Sequence, residues 1–269
     1  MATMELRVGC EFSFESLGPT PTVWQVRARP DGDPRILSED WDVAPGGSSA
    51  SYRDSYGNVC DRLILAEGPN TVRYDAMVEV KDAVDEVDLG APQVPVEDLP
   101  DDTLLFLLPS RFCFSDVLYD KAWDLFGATQ PGWARVQAVC DWVHRHISYA
   151  SGSTDPLTTA AEVVESGTGV CRDYAHVGVT FCRSLNVPAR YVSGYLPNIN
   201  ASVPEDPMDF CSWFEAYLGD RWWPFDPRNN EPRVGRVVIG RGRDAADVAM
   251  VTAFGAPTLQ EMKVWAEEA

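Results

Sequence analysis

Between Tyr174 and Leu185 the apolar residues Tyr174, Val177, Gly178, Phe181, Cys182 and Leu185 return at i, i+3, i+4, i+7, i+8 and i+11. That is the period of one face of a helix, and Asn186 followed by Pro188 stops it. A stripe this wide needs an apolar surface to lie on. Three runs rich in β-branched and aromatic residues follow directly, Ala189 to Leu196, Asp209 to Tyr217 and Arg221 to Phe225, and each reads as a strand. Upstream, Ser115 is expected to cap a helix ending at Phe126 before Gly127. Trp133, Val136, Val139, Cys140 and Val143 mark a second helix, and Thr159 to Glu165 a shorter one. Helices first and a sheet after them predict an α+β domain.

The region before these helices has another character. From Met4 to about Val80 short runs such as Glu5 to Val8, Val23 to Ala28, Arg62 to Leu65 and Tyr74 to Val80 alternate with Pro, Gly, Asp and Asn clusters, which predicts an antiparallel β-sandwich. Arg53 to Asn58 carries hairpin-turn residues. Lys81 to Thr103 is acidic and interrupted by Pro92, Pro95 and Pro100, and reads as a surface linker. The expected division is therefore a β-sandwich over 1–97 and a second domain over 98–269.

Composition narrows the partners. With 41 acidic against 22 basic residues the formal charge is −19, which repels nucleic acid and anionic membrane surfaces. Met1 to Phe14 lacks the basic, then apolar, then small-residue order of an export signal, so the expected location is the cytoplasm. Seven cysteines, at positions 10, 60, 113, 140, 171, 182 and 211, form no C-x-x-C pair, which argues against a disulfide framework and a zinc site. No metal and no cofactor are expected.

Cys171 stands out among the thiols. It opens the patterned helix directly after the loop Ser166-Gly167-Thr168-Gly169, where the unsatisfied N–H groups of a helix start should lower its pKa and could hold an oxyanion. Arg172 beside it adds positive charge. If Gly219-Asp220 is a two-residue hairpin loop, Leu218 pairs with Arg221 and Trp213 lies opposite Asp226. Cys211 then falls diagonal to that carboxylate on the same face.

Gly169-Val170-Cys171-Arg172-Asp173-Tyr174-Ala175-His176, Val187 to Tyr195, Asp209 to Tyr217 and Trp222 to Asp226 together resemble the bacterial transglutaminase-like superfamily, in its cysteine-protease-like branch. Tyr52 to Asn58 with Tyr74 to Val80 is similar to the β-rich N-terminal region that accompanies it, and Gly242 to Ala249 to its C-terminal signature. The resemblance implies a papain-like core, helices packed on an antiparallel sheet, with a Cys-His-Asp triad that passes an acyl group through a thioester. Cys171 matches the nucleophile and Asp226 the orienting carboxylate. Cys211 stands where the histidine is expected. A thiol is a poor proton acceptor at neutral pH and offers no two-nitrogen relay to Asp226, so ordinary peptide hydrolysis is not expected.

No other histidine substitutes readily. His176 lies five residues beyond Cys171, roughly 140° around the helix, and His144 and His146 fall at the end of an earlier helix; all three read as structural. Trp213, Trp223 and Tyr195 are candidate substrate contacts, and Glu215, on the face of Cys211 and Trp213, is a candidate acid or base. Two functions follow: a cysteine acyl-transfer enzyme with altered chemistry on a small-molecule, acyl or peptide substrate, or an inactive relative that binds a peptide or partner.

Overall fold

The computed structural model describes residues 2–31, 34–200 and 207–269. Six strands come first: β1 (Thr3–Ser16), β2 (Thr20–Trp24), β3 (Arg35–Ala44), β4 (Ala50–Arg53), β5 (Val59–Leu65) and β6 (Gly68–Lys81). Along β6 every second side chain from Asn70 to Val80 is buried, the two-residue period of a strand with one face on a core. β1 answers it with Leu6, Val8, Cys10, Phe12 and Phe14. β4 and β5 close over the expected turn, with Arg53 paired to Val59.

The helical part comprises α1 (Tyr119–Phe126), α2 (Trp133–His146), β7 (Ser148–Tyr149), α3 (Ala160–Ser166), β8 (Thr168–Gly169) and α4 (Cys171–Ser184). Thr159 caps α3: its hydroxyl accepts the Glu162 N–H, and the Glu162 carboxylate takes the Thr159 N–H, a reciprocal box that satisfies two orphan donors. Ser115 does not cap α1, which starts four residues later behind Leu118; the Ser115 carbonyl instead accepts the Ser184 hydroxyl.

The remaining strands are β9 (Ala189–Tyr195), β10 (Cys211–Leu218), β11 (Arg221–Phe225), β12 (Val237–Gly242), β13 (Val251–Ala253) and β14 (Thr258–Glu268). β11, β10, β9 and β12 form one antiparallel sheet, and Leu218 pairs with Arg221 as the two-residue loop requires. The sandwich has two four-stranded sheets, ordered β14-β1-β6-β3 and β13-β2-β5-β4. One edge of each sheet is thus supplied from the far end of the chain, with β14 along β1 and β13 along β2.

α4 is buried all round. Asp173 to Ser184 are all inaccessible, because α1, α2 and α3 cover one side and the sheet the other. Gly178 permits the approach to the sheet: a Cβ there would lie 2.5 Å from the Phe214 ring. The mixed α+β, papain-like architecture with a strand-rich N-terminal region is the one the sequence predicts. Among the described residues no helix is long and apolar enough to cross a membrane.

Candidate active site

α4 begins at Cys171, behind Val170 in extended conformation. Its first turn is sealed by Asp173, whose fully buried carboxylate accepts the Val170 N–H at 2.9 Å, the Thr154 hydroxyl at 2.6 Å and the Arg172 guanidinium at 2.9 and 3.0 Å. Two consequences oppose the sequence expectation for Cys171. The positive helix end is partly offset by a carboxylate, and the charge of Arg172 is directed at Asp173.

The Cys171 thiol, half-buried, donates to the Phe210 carbonyl at 3.6 Å. Burial pushes its pKa up; Arg228 draws it down, Asp209 raises it, and the N–H and hydroxyl of Ser212 draw it down, with burial prevailing. The expected lowering is therefore replaced by a rise. Desolvation of a thiolate outweighs a helix terminus that already holds an anion.

Strand alternation then separates two neighbours. Ser212 lies on the Cys171 side, its hydroxyl 2.6 Å from that of Tyr191. Cys211, one residue earlier, packs with Val192, Trp213 and Val238 in a cluster apart from the helix core. Its thiol is pushed up to about 12 by burial, then by Cys171 and Asp226. Asp226 is taken by other partners: the Asn229 N–H at 3.0 Å, the Asn229 amide at 2.7 Å and Arg236 at 3.2 Å. Arg236 also holds Asp85 at 2.9 Å and lies over Trp213. The fold thus brings Cys171, Cys211 and Asp226 into one neighbourhood, but among the described residues no hydrogen bond joins any two of them.

The histidines are each engaged with backbone. His144 Nδ1 faces the carbonyls of Pro227 and Arg228, and His146 Nε2 that of Val164 at 2.9 Å. His176 is fully buried between Phe112 and Tyr191. Its Nε2 accepts the Ala245 N–H at 3.1 Å, so the ring proton sits on Nδ1. Burial lowers its pKa to about 3, which keeps it neutral.

Cys171 opens onto a cleft of about 660 Å³ between the sandwich and the helix-bearing part. Phe12 and Phe14 of β1, Phe112, and the segment from Ala245 to Val251 build its walls, with Asp209, Ser193 and Ser212 among its few polar groups. Neither the candidate substrate contacts Trp213, Trp223 and Tyr195 nor the candidate acid or base Glu215 lines it, and each has a structural reason. Tyr195 is buried and donates its hydroxyl to the Val26 carbonyl at 2.7 Å. Trp223 packs edge-on against Trp133 and donates to the Leu218 carbonyl. Trp213 sits in the Cys211 cluster. Glu215 is buried between Arg190 at 2.6 Å and Arg241 at 2.9 Å, and these cations, against burial, hold its carboxyl down at about 2.

The residues that sequence reasoning missed are the cleft walls, together with Asp209 and Ser212. Signals for them lay in the C-terminal block Gly242 to Ala249 and in the run Asp209 to Tyr217. Asp244 accepts the N–H groups of Phe112 and Ala246, both at 2.9 Å. With His176 holding Ala245, that carboxylate fixes the turn which walls the cleft.

The sequence profile of the Transglutaminase-like superfamily matches residues 123–227. The crystal structure of a "Putative Cysteine Protease" from Cytophaga hutchinsonii is 34% identical and superposes with a TM-score of 0.91, covering 100% of this chain and 91% of that one. An uncharacterised Mycobacterium leprae protein is 34% identical over 117 residues, 42% of each chain. A Mycobacterium bovis relative is 27% identical over 230 residues, 77% of this chain and 72% of its own. The fold and site define a transglutaminase-like protein with a cysteine at the start of its central helix. This chain belongs to the transglutaminase-like superfamily.

Proposed function

We propose that the chain is a cysteine acyl-transfer protein turned from amides to activated acyl groups, with Cys171 as the acyl-accepting atom. The observation that carries this reading is the Cys171 thiol at the wall of the cleft, supported by Ser212, while all three histidines are bound to backbone groups. Amide cleavage needs an acid to protonate the departing amine, and a thiol of pKa about 12 at Cys211 is no imidazolium. A thioester needs no such acid, since its leaving thiolate is stable near neutral pH. The Cys171 sulfur attacks the acyl carbon, the new C–S bond forms as the old one breaks, and the thiol proton ends on the departing thiol. Water then hydrolyses the acyl-enzyme to a carboxylic acid and free Cys171. A reducing cytoplasm suits a chain of seven cysteines with an active thiol.

The test is intact-mass analysis after exposure to S-acyl-N-acetylcysteamine, with peptide p-nitroanilides as the amide comparison. An acyl adduct on Cys171, absent in Cys171→Ser, and no amide hydrolysis are expected. Cys171-dependent amide hydrolysis, or no adduct, overturns the proposal. A binding-only relative is the second reading, favoured by the engagement of Asp226 with Arg236 and Asn229; it expects no adduct at all.

A further inference from the structure

The cleft's walls speak to the acyl group itself. Phe12, Phe14, Phe112, Val248, Met250 and Met262 give it three aromatic rings and flexible thioethers, surfaces that gain by covering hydrocarbon. Apolar surface continues outward at the mouth: Leu259, a lining residue, is 49% exposed, and Phe254, next to the lining residue Ala253, is 67% exposed. Large side chains left this open beside an apolar cavity mark a place where something apolar is received. The volume of about 660 Å³ lies within the roughly 300–1,000 Å³ that encloses small organic ligands.

Charge narrows the choice further. Two charged side chains line the cleft, Arg172 and Asp209. Arg172 is bound to Asp173, whereas among the described residues Asp209 has no ion pair and accepts only its neighbour's N–H, from Phe210 at 2.7 Å. Burial raises the Asp209 pKa, as expected of a carboxyl facing hydrocarbon. An anionic acyl chain would meet this carboxyl in the cleft wall, while Arg228, whose charge reaches both Cys171 and Asp209, is not among the lining residues.

We propose that the group carried on Cys171 is an uncharged, apolar acyl chain or aryl-acyl group, seated against the Phe12–Phe14–Phe112 wall. This rests on Cys171 being the reactive thiol, as above, and adds the substrate class. Thioesters of medium-length aliphatic or aromatic acids fit it; dicarboxylic acyl groups and acidic peptides do not.

A reagent series tests the two claims separately. The 269-residue chain is treated with N-methyl-, N-ethyl-, N-butyl- and N-hexylmaleimide and with the anionic 6-maleimidohexanoic acid, with the rate at Cys171 followed by peptide mapping and divided by the rate with free cysteine. Burying one methylene supplies up to about fourfold, so the normalised rate should climb two- to fourfold per added carbon. The anionic reagent should fall below N-butylmaleimide, and Ala249→Phe, which narrows the cleft, should flatten the climb. A flat series in the wild type, or an anionic reagent as fast as the hexyl one, overturns the apolar-acyl assignment and leaves Cys171 reactive. No labelling of Cys171 by any reagent overturns the reading beneath it as well.

Discussion

Acid should loosen the cleft wall through His176. The ring is fully buried and neutral, with Nε2 accepting the Ala245 N–H and a pKa lowered by burial from the ordinary 6.5 to about 3. Asp173 raises that pKa and Arg172 and Arg183 lower it further, but burial dominates. In the unfolded chain the imidazole takes up a proton below 6.5, while in the folded chain it does not until far lower pH. The unfolded state therefore binds more protons throughout that window, and stability falls as pH drops from 6.5 towards 3. At pH 5 the difference is about 1.5 units, or about 2 kcal/mol at ~1.36 kcal/mol per unit. Urea unfolding at pH 7.5 and pH 5.0 measures this when wild type is compared with His176→Gln, whose amide oxygen can still accept the Ala245 N–H. Wild type should lose about 2 kcal/mol more than the variant over that interval. Equal losses would refute the reasoning, because they would mean that the imidazole is protonated in the fold or is not sequestered.

Other consequences are accessible by single substitution. Glu215→Gln leaves the partly buried Arg190 and Arg241 without their anion and should cost roughly 2–4 kcal/mol in denaturant unfolding; a loss below 1 kcal/mol would mean the cluster is hydrated. Gly178→Ala drives a methyl into the Phe214 ring and should destabilise by about 1–3 kcal/mol, whereas an unchanged melting temperature would show that the helix has room to move. Ser212→Ala should slow Cys171 alkylation several-fold at neutral pH, because a hydrogen bond to the thiolate is lost, and Cys211→Ala should not. Cys211→His should gain no thiol-dependent amidase activity, since its ring would enter the Val192–Trp213–Val238 cluster and meet an Asp226 already bound to Arg236; appearance of that activity would contradict this placement.

The elements that were legible in the sequence share one property: their signal is local. The stripe from Tyr174 to Leu185, the short helix read over Thr159 to Glu165 and the Gly219-Asp220 loop each carry their instruction within a few residues; the stripe and the loop are found as read, and the short helix is shifted by one residue, to Ala160–Ser166. What was not legible depends on partners far along the chain. β3 alternates weakly, its side chains being mostly exposed, so its pattern carried no burial signal. β13 and β14 owe their strand state to β2 and β1, more than two hundred residues away. The same distance hid the cleft: Phe12 and Phe112 meet Val248 only after the sandwich has closed on the helical part. The place of Cys171 at the start of α4 was visible in its loop-and-helix context. The direction of its pKa was not, because that depends on burial and on the engagement of Arg172 with Asp173.

The pH profile of Cys171 alkylation by N-ethylmaleimide, followed by peptide mapping between pH 6 and pH 10.5, tests the central claim most directly. Cys171 should label ahead of the other six thiols because it alone opens onto the cleft, and its rate should still be rising past pH 9, since burial holds its pKa above the ordinary 9.0. A plateau reached below pH 8, or prior labelling of any other cysteine, would contradict the account.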